Sequence, residues 1–400
     1  HTRYISVTGV QTCALPILNG IRVLDLSRFL PGPWIGLTMA DHGADVIKIE
    51  SHEGEPTRTL GPEIAGFPAY FRNTQHGKRS MVLNLKSEEG KEIFMQLAET
   101  SDVIIDSFRP GVMNRLGLGY EAVKARAPRI VFCALSAFGQ TGPLSQRPSH
   151  DVGAQALTGV LSLGCTDGRE PSLPTLPMAD IALGSAALIA ILMALFKREK
   201  SGQGDYIDAA MIDTLMSWTP HILSTVLTEN RPPDLSKERL HGGAAFYNVY
   251  KTKDGKHLVL SGSEMNFVEN LLKALDRPDL IEVCRLPWGE AQQPVKTFLE
   301  ATFLNRTRDE WDQWLQDKSV CYAPVLNLQE AWQSKVLRER GMIGHGKDGV
   351  DTLGTPIKFL EEPGQPNFDC AHHGEHTNDI LASLGYDQVA RDKLHAKGVC

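Results

Sequence analysis

From Leu18 onward, short apolar runs alternate along the chain with stretches of helical periodicity. The apolar runs are typical of strands and lie at 21–26, 46–50, 81–85, 103–105 and 130–132, and the segment 204–208 also looks like a strand. A Pro/Gly turn at 30–33 separates the first strand from a helix that ends near Asp41, and Ser87 caps a later helix with two acidic residues in its first turn. This alternation predicts an α/β fold with a doubly wound parallel sheet.

The pattern changes in the second half of the chain. The apolar stretch Ile181–Phe196 is short for a membrane span and predicts a buried helix within a longer one from about Asp180 to Lys200. A linker near 229–233 precedes a β-hairpin, with strands at 246–250 and 257–260 around a Lys-Asp-Gly turn. We therefore predict a large domain at 18–228, a smaller α+β domain at 229–320, and a C-terminal segment at 321–400 that returns to the large domain.

The first seventeen residues, HTRYISVTGVQTCALPI, show no clear period and join abruptly to the regular segment after them. They lack a charged region followed by an apolar one and so do not match a signal peptide. They resemble translated vector sequence, and we expect a non-native leader.

Composition narrows the class of protein. The 400 residues are 42% hydrophobic and 22% charged, as in globular proteins, with a net charge of -7 and no basic stripe of the kind that nucleic-acid binding needs. The seven cysteines are widely spaced and form no C-x-x-C, so the sequence favours neither a disulfide framework nor a zinc site. We expect a reduced, cytoplasmic compartment, with no nucleic-acid or membrane partner.

Two segments are candidates for binding an anion. The turn at Leu30–Pro33, which includes Gly32, places a helix N-terminus at the carboxyl edge of the first strand, where open α/β sheets bind ligands. Lys78 and Arg79 follow Gly77 just before the third strand. Each segment alone is more often structural, the first as a plain strand-to-helix turn and the second as a solvated charge pair. Neither a dinucleotide fingerprint nor a P-loop is present.

Three acidic residues stand near predicted helix starts: Asp151, which follows His150, Asp180, and Glu264. Most such residues are caps or first-turn acids, but an aspartate facing the sheet crevice can also act as a nucleophile or a base. The histidines at 372, 373 and 376 have no supporting carboxylate or cysteine spacing, and we expect no metal there.

Nine blocks in order resemble the family III coenzyme-A transferase superfamily, which also contains the α-methylacyl-CoA racemases. The resemblance covers nearly everything from Leu18 to Tyr386. Its blocks are Pro31-Gly32-Pro33, GADVIKIE (43–50), GKRSMVLNL (77–85), SFRPGVMNRLGLGYE (107–121), SAFGQTGP (136–143), HDVGAQALTGV (150–160), the segment 179–204, GGAAFYNVYKTKDGKHLVL (242–260) and GEHTNDILASLGY (374–386).

The resemblance implies a Rossmann-like large domain, a small domain, and two subunits interlocked as a homodimer. It also implies that Asp180 is the nucleophile of a CoA-transferase. In that mechanism the carboxylate attacks an acyl-CoA thioester, and the exchange passes through an aspartyl anhydride and an aspartyl-CoA thioester. The substrates are then an acyl-CoA and a carboxylic acid, and no cofactor is permanently bound.

In the racemases of this superfamily, the matching aspartate is one of two α-proton bases, and the other is a histidine assisted by a glutamate. His150 and Glu264 match those positions, and the short Gly242–Ala245 segment is also racemase-like. The Gln155-Ala156 pair resembles the transferases. We prefer the transferase, with the racemase as the alternative and a non-catalytic CoA-binding homologue as a second one.

For CoA itself, the resemblance assigns contacts to Lys78, Arg79, Phe108 and Arg115, beside Gly32 in the first turn. The cationic side chains among them are expected to bind the phosphates at the carboxyl edge of the sheet.

Overall fold

The computed structural model describes residues 15–164 and 170–400. The predicted leader, 1–17, falls outside them except for its last three residues. The strands are β1 (Arg22–Asp25), β2 (Asp45–Glu50), β3 (Glu63–Ile64), β4 (Phe67–Pro68), β5 (Arg79–Val82), β6 (Val103–Asp106), β7 (Val131–Ser136), β8 (Asp205–Ala210), β9 (Tyr247–Lys251), β10 (His257–Ser261), β11 (Tyr322–Pro324), β12 (Ile343–His345) and β13 (Asp351–Leu353).

The α-helices follow the same chain order. They are α1 (Pro31–Asp41), α2 (Ala69–Gln75), α3 (Glu88–Glu99), α4 (Val112–Leu116), α5 (Tyr120–Arg126), α6 (Asp151–Leu157), α7 (Met178–Ser201), α8 (Met211–Met216), α9 (Pro220–Glu229), α10 (Met265–Ala274), α11 (Gln293–Phe303), α12 (Arg308–Leu315), α13 (Leu328–Trp332), α14 (Lys335–Glu339), α15 (Thr377–Ser383) and α16 (Gln388–Ala396).

Six parallel strands form the main sheet, in the order β5-β2-β1-β6-β7-β8. In chain order this is 3-2-1-4-5-6, the doubly wound order, whose direction reverses between β1 and β6. Five of the strands are almost entirely buried because helices cover both faces, whereas the edge strand β8 is only partly buried. The predicted α/β fold and all six sheet strands are confirmed. Ligands in such sheets bind beyond the carboxyl ends of the strands at the reversal.

The chain divides into two compact units. The first holds the six-stranded sheet and takes its described residues from 15–158, 175–218 and 336–400. Its core includes Ile380, Leu394 and Val399, so the C-terminal segment packs with the large sheet. The amide of Asn84 donates to the carbonyl oxygen of Val399 at 2.8 Å and joins the chain end to the segment after β5.

The second unit comprises the described part of 159–174 together with 219–335. Its sheet runs β11-β10-β9, all antiparallel, over a core of its own that contains Phe246, Tyr250, Phe303 and Trp311. The predicted domain limits at 229 and 320 therefore shift to 219 and 335. The reason is packing: Thr225 of α9 donates to Glu238 at 3.1 Å, and β11 pairs with β10.

Helix α7 is long and apolar enough to cross a membrane by length and composition alone. One of its faces is buried inside the first unit, with Leu183, Ala187 and Ile191 all at 0% exposure. The prediction of a buried helix is therefore correct for that face. The opposite face leaves large apolar side chains exposed, namely Ile181, Ile189, Leu192, Met193 and Phe196.

Candidate active site

A pocket of about 450 Å³ opens at the carboxyl edge of the main sheet. It lies at the ends of β1, β2, β5 and β6, beside the point where the strand order reverses. Apolar walls come from Leu26, Leu85, Phe108, Val112 and Leu116, while polar groups include Arg28, Ser51, His52, Asn84 and Lys86. The lining also includes Glu50, Glu53 and Glu55, and a pocket with apolar walls and acidic residues suits a heterocyclic base better than a bare anion.

A buried ionic network lies beneath this pocket. Asp25, the last residue of β1, is fully buried and lies 2.9 Å from the Lys78 amine and 3.3 Å from the Lys48 amine. Burial by itself favours the neutral carboxyl, but the charges of Lys48 and Lys78 hold the pKa of Asp25 well below its usual range. The strand register explains the pairing, because Asp25 stands directly opposite Lys48 on β2.

Lys78 does not line the pocket. Its amine donates to Asp25 at 2.9 Å, to the Pro33 carbonyl at 2.8 Å and to Gln75 at 2.8 Å, so all three of its hydrogens are used inside the protein. Burial also lowers the pKa of Lys78 to about 8, although Asp25 opposes that shift. These contacts correct the prediction that Lys78 binds a phosphate of CoA.

Arg79 also requires a correction. Its guanidinium forms a two-pronged pair with Asp45, at 2.8 and 2.6 Å, and Arg22 binds the same carboxylate at 2.9 Å. Asp45 and Arg22 begin β2 and β1, so the Arg79 side chain points to the amino edge of the sheet, opposite the pocket. The sequence placed Arg79 next to a strand but could not tell toward which end its side chain extends.

The turn before α1 is built for close packing rather than for anion binding. A Cβ at Gly32 would lie 2.1 Å from the Cβ of Ser27, so only glycine fits there. Two of the first three helical residues, Pro31 and Pro33, have no amide hydrogen, and the amide of Trp34 already donates to Leu30. Gly32 thus has the only free amide in this first turn, which weakens the predicted phosphate site at this helix start.

Phe108 and Arg115, the other two predicted CoA contacts, lie in and near this pocket, and their role stays a prediction. Phe108 forms part of the pocket wall, and the Arg28 guanidinium lies 5.6 Å from its ring centre. Arg115 is exposed on α4, the helix from which Val112 and Leu116 line the same pocket. Its guanidinium forms no ion pair with any residue in the described ranges.

Asp151 has a structural role that the sequence did not reveal. Its buried carboxylate accepts hydrogen bonds from the amides of Ala179 at 2.6 Å and Asp180 at 3.2 Å, and so caps α7 from outside the helix. Gln155 donates to the other carboxylate oxygen at 2.7 Å. Asp151 therefore ties the start of α6 to the start of α7.

Asp180 is the third residue of α7. Unlike Asp151, it has a carboxylate that is free of hydrogen-bond donors among the described residues. Its side chain is partly buried, and its carboxylate accepts no hydrogen bond and forms no ion pair within the part of the chain that the structure describes. Burial, with a smaller contribution from the charge of Asp151, raises the pKa of Asp180 to about 7. An unpartnered carboxylate with a raised pKa is a candidate nucleophile or base.

Tyr70 lies near Asp180 and was missed at the level of sequence. Burial, together with the negative charges of Asp180 and Glu55, raises the pKa of Tyr70 to about 12. A tyrosine that stays protonated keeps its hydroxyl as a hydrogen-bond donor. No motif pointed to it, because its position depends on how α2 packs beside α1.

His150 immediately precedes α6 and is exposed. Its ring lies edge-on to that of Phe29, with ring centres 5.7 Å apart, and makes no hydrogen bond to the described residues. It lines a second pocket, of about 290 Å³, together with Phe108, Arg109 and Arg147. Both arginines are exposed, and neither guanidinium is paired with a carboxylate in the described ranges.

Glu264 belongs to the second unit, where it immediately precedes α10. Its carboxylate lies 3.5 Å from Arg239, and more than half of its side chain is exposed. The three histidines near the C-terminus are held separately: the His372 amide donates to Glu375, the His373 ring bonds the Ser51 carbonyl, and the His376 ring accepts from the Ser80 amide. Among residues 15–164 and 170–400 no group of side chains is arranged to hold a metal ion.

The family model described as CoA-transferase family III matches residues 18–377. The chain belongs to this family. Succinyl-CoA:glutarate CoA-transferase of Homo sapiens is 30% identical over 397 residues, which cover 96% of this chain and 89% of that protein. α-Methylacyl-CoA racemase of Homo sapiens is 32% identical over 385 residues, which cover 94% of this chain and 97% of that protein. A crystal structure of a CAIB/BAIF family protein from Brucella suis has a TM-score of 0.80 at 31% identity, covering 92% of this chain and 99% of that one.

The predicted family is thus confirmed, and membership makes this chain one of a family of enzymes that act on acyl-CoA thioesters. Family III relatives of both named activities match almost the full length of the chain, so overall likeness does not choose between them. The choice must come from the residues at the reacting centre.

Proposed function

We propose that this protein is an acyl-CoA:carboxylate CoA-transferase with Asp180 as its nucleophile. The observation that carries the proposal is the unpartnered, partly buried carboxylate of Asp180 at the start of α7. A carboxylate that makes no hydrogen bonds keeps its lone pairs free for attack, and partial burial limits the water that would hydrolyse an anhydride.

In each step of the proposed exchange, one acyl bond forms as another breaks. An Asp180 oxygen attacks the thioester carbonyl carbon, the carbon–sulfur bond breaks, and CoA leaves as thiolate. The thiolate then attacks the aspartyl carbonyl of the anhydride and releases the first acid as its carboxylate. The incoming acid attacks the aspartyl-CoA thioester in the same way, and the returning thiolate takes up the new acyl group and restores Asp180.

Trapping of the enzyme intermediate tests this mechanism. With succinyl-CoA as the probe, hydroxylamine should convert the activated Asp180 carboxyl into a hydroxamate, which mass spectrometry locates on its peptide. We expect the modification at Asp180 and not at the adjacent cap Asp151, whose oxygens are occupied by hydrogen bonds. Modification elsewhere, or none while transfer proceeds, contradicts the covalent route.

A second candidate function is racemisation of a 2-methylacyl-CoA, and one observation favours it. A pKa of about 7 suits Asp180 for a general base as well as for a nucleophile. His150 is adjacent in sequence to Asp151, which caps α7, the helix that carries Asp180. The transferase remains the preferred function because the His150 ring is exposed and lacks a carboxylate partner in the described residues. A catalytic histidine is usually oriented by such a partner.

For CoA, we propose that the 450 Å³ pocket holds the adenosine end, with Phe108 against the base. Phe108 lines both pockets, so a ligand that passes it reaches Arg109, Arg147 and His150. The unpaired arginines replace Lys78 and Arg79 as the cations available to the phosphates.

The revised phosphate contacts predict a clear difference in affinity. R109A and R147A should each weaken CoA binding about ten- to a hundredfold, because a lost charge-assisted contact costs about 1.5–3 kcal/mol. The matched control is R79A, which removes an arginine on the opposite edge of the sheet and should leave the Kd unchanged. Calorimetric titration with CoA measures all three. A loss of affinity in R79A, with R109A and R147A unaffected, refutes the revised assignment.

The raised pKa of Asp180 predicts a pH dependence. Only the ionised carboxylate attacks, so the rate of adduct formation should fall about tenfold per pH unit below pH about 7 and level off above it. Single-turnover measurements with succinyl-CoA between about pH 5.5 and pH 8.5 record this limb. A rate that stays constant down to the lower limit means that Asp180 titrates as an ordinary aspartate.

We also propose that the protein is a homodimer, interlocked as its family resemblance implies. Support comes from the exposed apolar stripe of α7, from Ile181 to Phe196, which is an unusual surface for a monomer in water.

The dimer should persist on dilution, because interlocked chains separate only by unfolding. Light scattering checks this, and a folded monomer at low concentration refutes it. The pair M193E and F196E should disrupt assembly, whereas V389E, at another exposed apolar position, should not.

The proposed compartment is the cytoplasm. The described cysteines, Cys133, Cys284, Cys321, Cys370 and Cys400, are all free thiols, which suits a reducing environment.

A further inference from the structure

Phe29 has a backbone conformation that its side chain does not favour. Its φ is +64°, in the left-handed region that L residues other than glycine and asparagine rarely adopt. The ring is 39% exposed, so burial of this large side chain does not explain the conformation. Strain of this kind, held in place by surrounding contacts, is often found at functional sites.

One carboxylate holds the strained turn. The amide of Phe29 donates to Oε1 of Glu55 at 2.9 Å. Glu55 is only 3% exposed, and its own position is fixed by the Thr57 hydroxyl at 3.2 Å and by the Lys48 amine at 3.5 Å. The Glu55 backbone is anchored too, because its amide donates to Glu50 at 2.9 Å. The conformation of Phe29 therefore depends on a side chain that cannot easily move.

The ring of Phe29 contacts the ring of His150. The two rings are perpendicular, with their centres 5.7 Å apart, a favourable edge-to-face arrangement. The His150 imidazole makes no hydrogen bond to the described residues, so the ring contact with Phe29 is available to restrict its rotation. His150 in turn precedes Asp151, which caps the helix that carries Asp180.

We propose that Phe29 is a positioning residue for His150, and that Glu55 keeps it in place by accepting its amide hydrogen. The pair of rings then fixes the His150 imidazole at the end of the acyl-CoA site, where it orients the substrate. This role rests on the proposed CoA-transferase function for its effect on turnover. The coupling between Glu55, Phe29 and His150 can be measured without any activity.

Histidine NMR tests the coupling. In protein labelled with ¹³C-histidine, the His150 ring resonance is identified by its loss in H150A. F29G should shift this resonance, because glycine tolerates the positive φ and only the ring is lost. E55A should shift it similarly, whereas E55Q keeps an acceptor oxygen for the Phe29 amide and should not. A resonance that does not move in F29G, or that moves equally in E55Q and E55A, overturns the proposal.

Turnover gives the second readout. F29G and H150A should each slow transfer by about three- to tenfold with an unchanged Kd for CoA, and the double variant should be no slower than H150A alone. Thermal unfolding of F29G should occur at or above the parent temperature, since the backbone strain is relieved. If the single effects multiply in the double variant, Phe29 does not act through His150. If the parent shows no CoA chemistry, the proposed function fails, and the NMR result alone decides the coupling.

Discussion

Replacing Asp180 with alanine should abolish CoA transfer, with a loss of at least about 10⁴-fold in kcat. The neighbouring Asp151 cannot replace it, because that carboxylate caps α7 and its oxygens are hydrogen-bonded. D180N should be equally inactive, since an amide neither attacks a thioester nor accepts an α-proton. CoA affinity should stay within about threefold of the parent, because the nucleotide pocket is formed by other residues.

The chain offers a matched control for this loss. Asp213 is the third residue of α8, after Met211, just as Asp180 is the third residue of α7, after Met178. Asp213 is exposed, so D213N tests the removal of a first-turn helix carboxylate without touching the pocket. We expect D213N to transfer CoA at the parental rate. A D180A variant that keeps a tenth of the parental kcat shows that the nucleophile lies elsewhere.

Replacing Asp25 with alanine should lower the free energy of unfolding by about 3–5 kcal/mol. The change leaves the amines of Lys48 and Lys78 buried side by side without their shared counter-charge, although each keeps other hydrogen-bond acceptors. Removal of one member of a buried ionic group is far more damaging than its net stabilisation suggests, because the remaining charges cannot be solvated. Urea-induced unfolding measures the change.

Asp45 provides the comparison. It lies on the neighbouring strand and also binds two cations, Arg22 and Arg79, but more than a third of its side chain is exposed. Solvent screens those pairs, so D45A should lower stability by only about 0–1 kcal/mol. Equal losses in D25A and D45A mean that the buried network has no special role in holding the carboxyl edge of the sheet.

The sequence was sufficient for most of the fold. Five apolar runs and the segment 204–208, separated by helical periodicity, predict the six sheet strands, and Ser87 does cap α3 by accepting the Gly90 amide. The domain limits were less predictable, because α9 and β11 join the second unit through side-chain and strand contacts with residues distant in sequence. Hydrophobic periodicity predicts whether a segment is a helix or a strand, but it does not predict which other elements that segment packs against.

The candidate site was predictable only in part. Asp180 lies at the start of α7, and Phe108 and His150 line pockets, while the roles that the resemblance implies for them stay predictions. Lys78 and Arg79 were misassigned, because sequence position does not give side-chain direction. The two prolines at the start of α1, by contrast, were visible in the sequence and already argued against an amide cradle there.

The residues that sequence reasoning missed share one property. The proximity of Tyr70 to Asp180, the cap from Asp151, and the Asp25–Lys78 pair all depend on tertiary packing or on strand register. The strand register aligns Asp25 with Lys48, and no local sequence pattern in either strand predicts this pairing. Such contacts are found only once the elements are assembled.

The most direct test of the central claim compares two reactions of the same protein. A mixture of succinyl-CoA and a panel of free carboxylic acids should yield the CoA ester of an acceptor acid, in a reaction that requires the free acid and vanishes in D180A but only slows in H150A. In heavy water with a 2-methylacyl-CoA and no acid, the α-hydrogen should not exchange. Exchange of the α-hydrogen without an acceptor, lost in H150A, contradicts the transferase and establishes the racemase in its place.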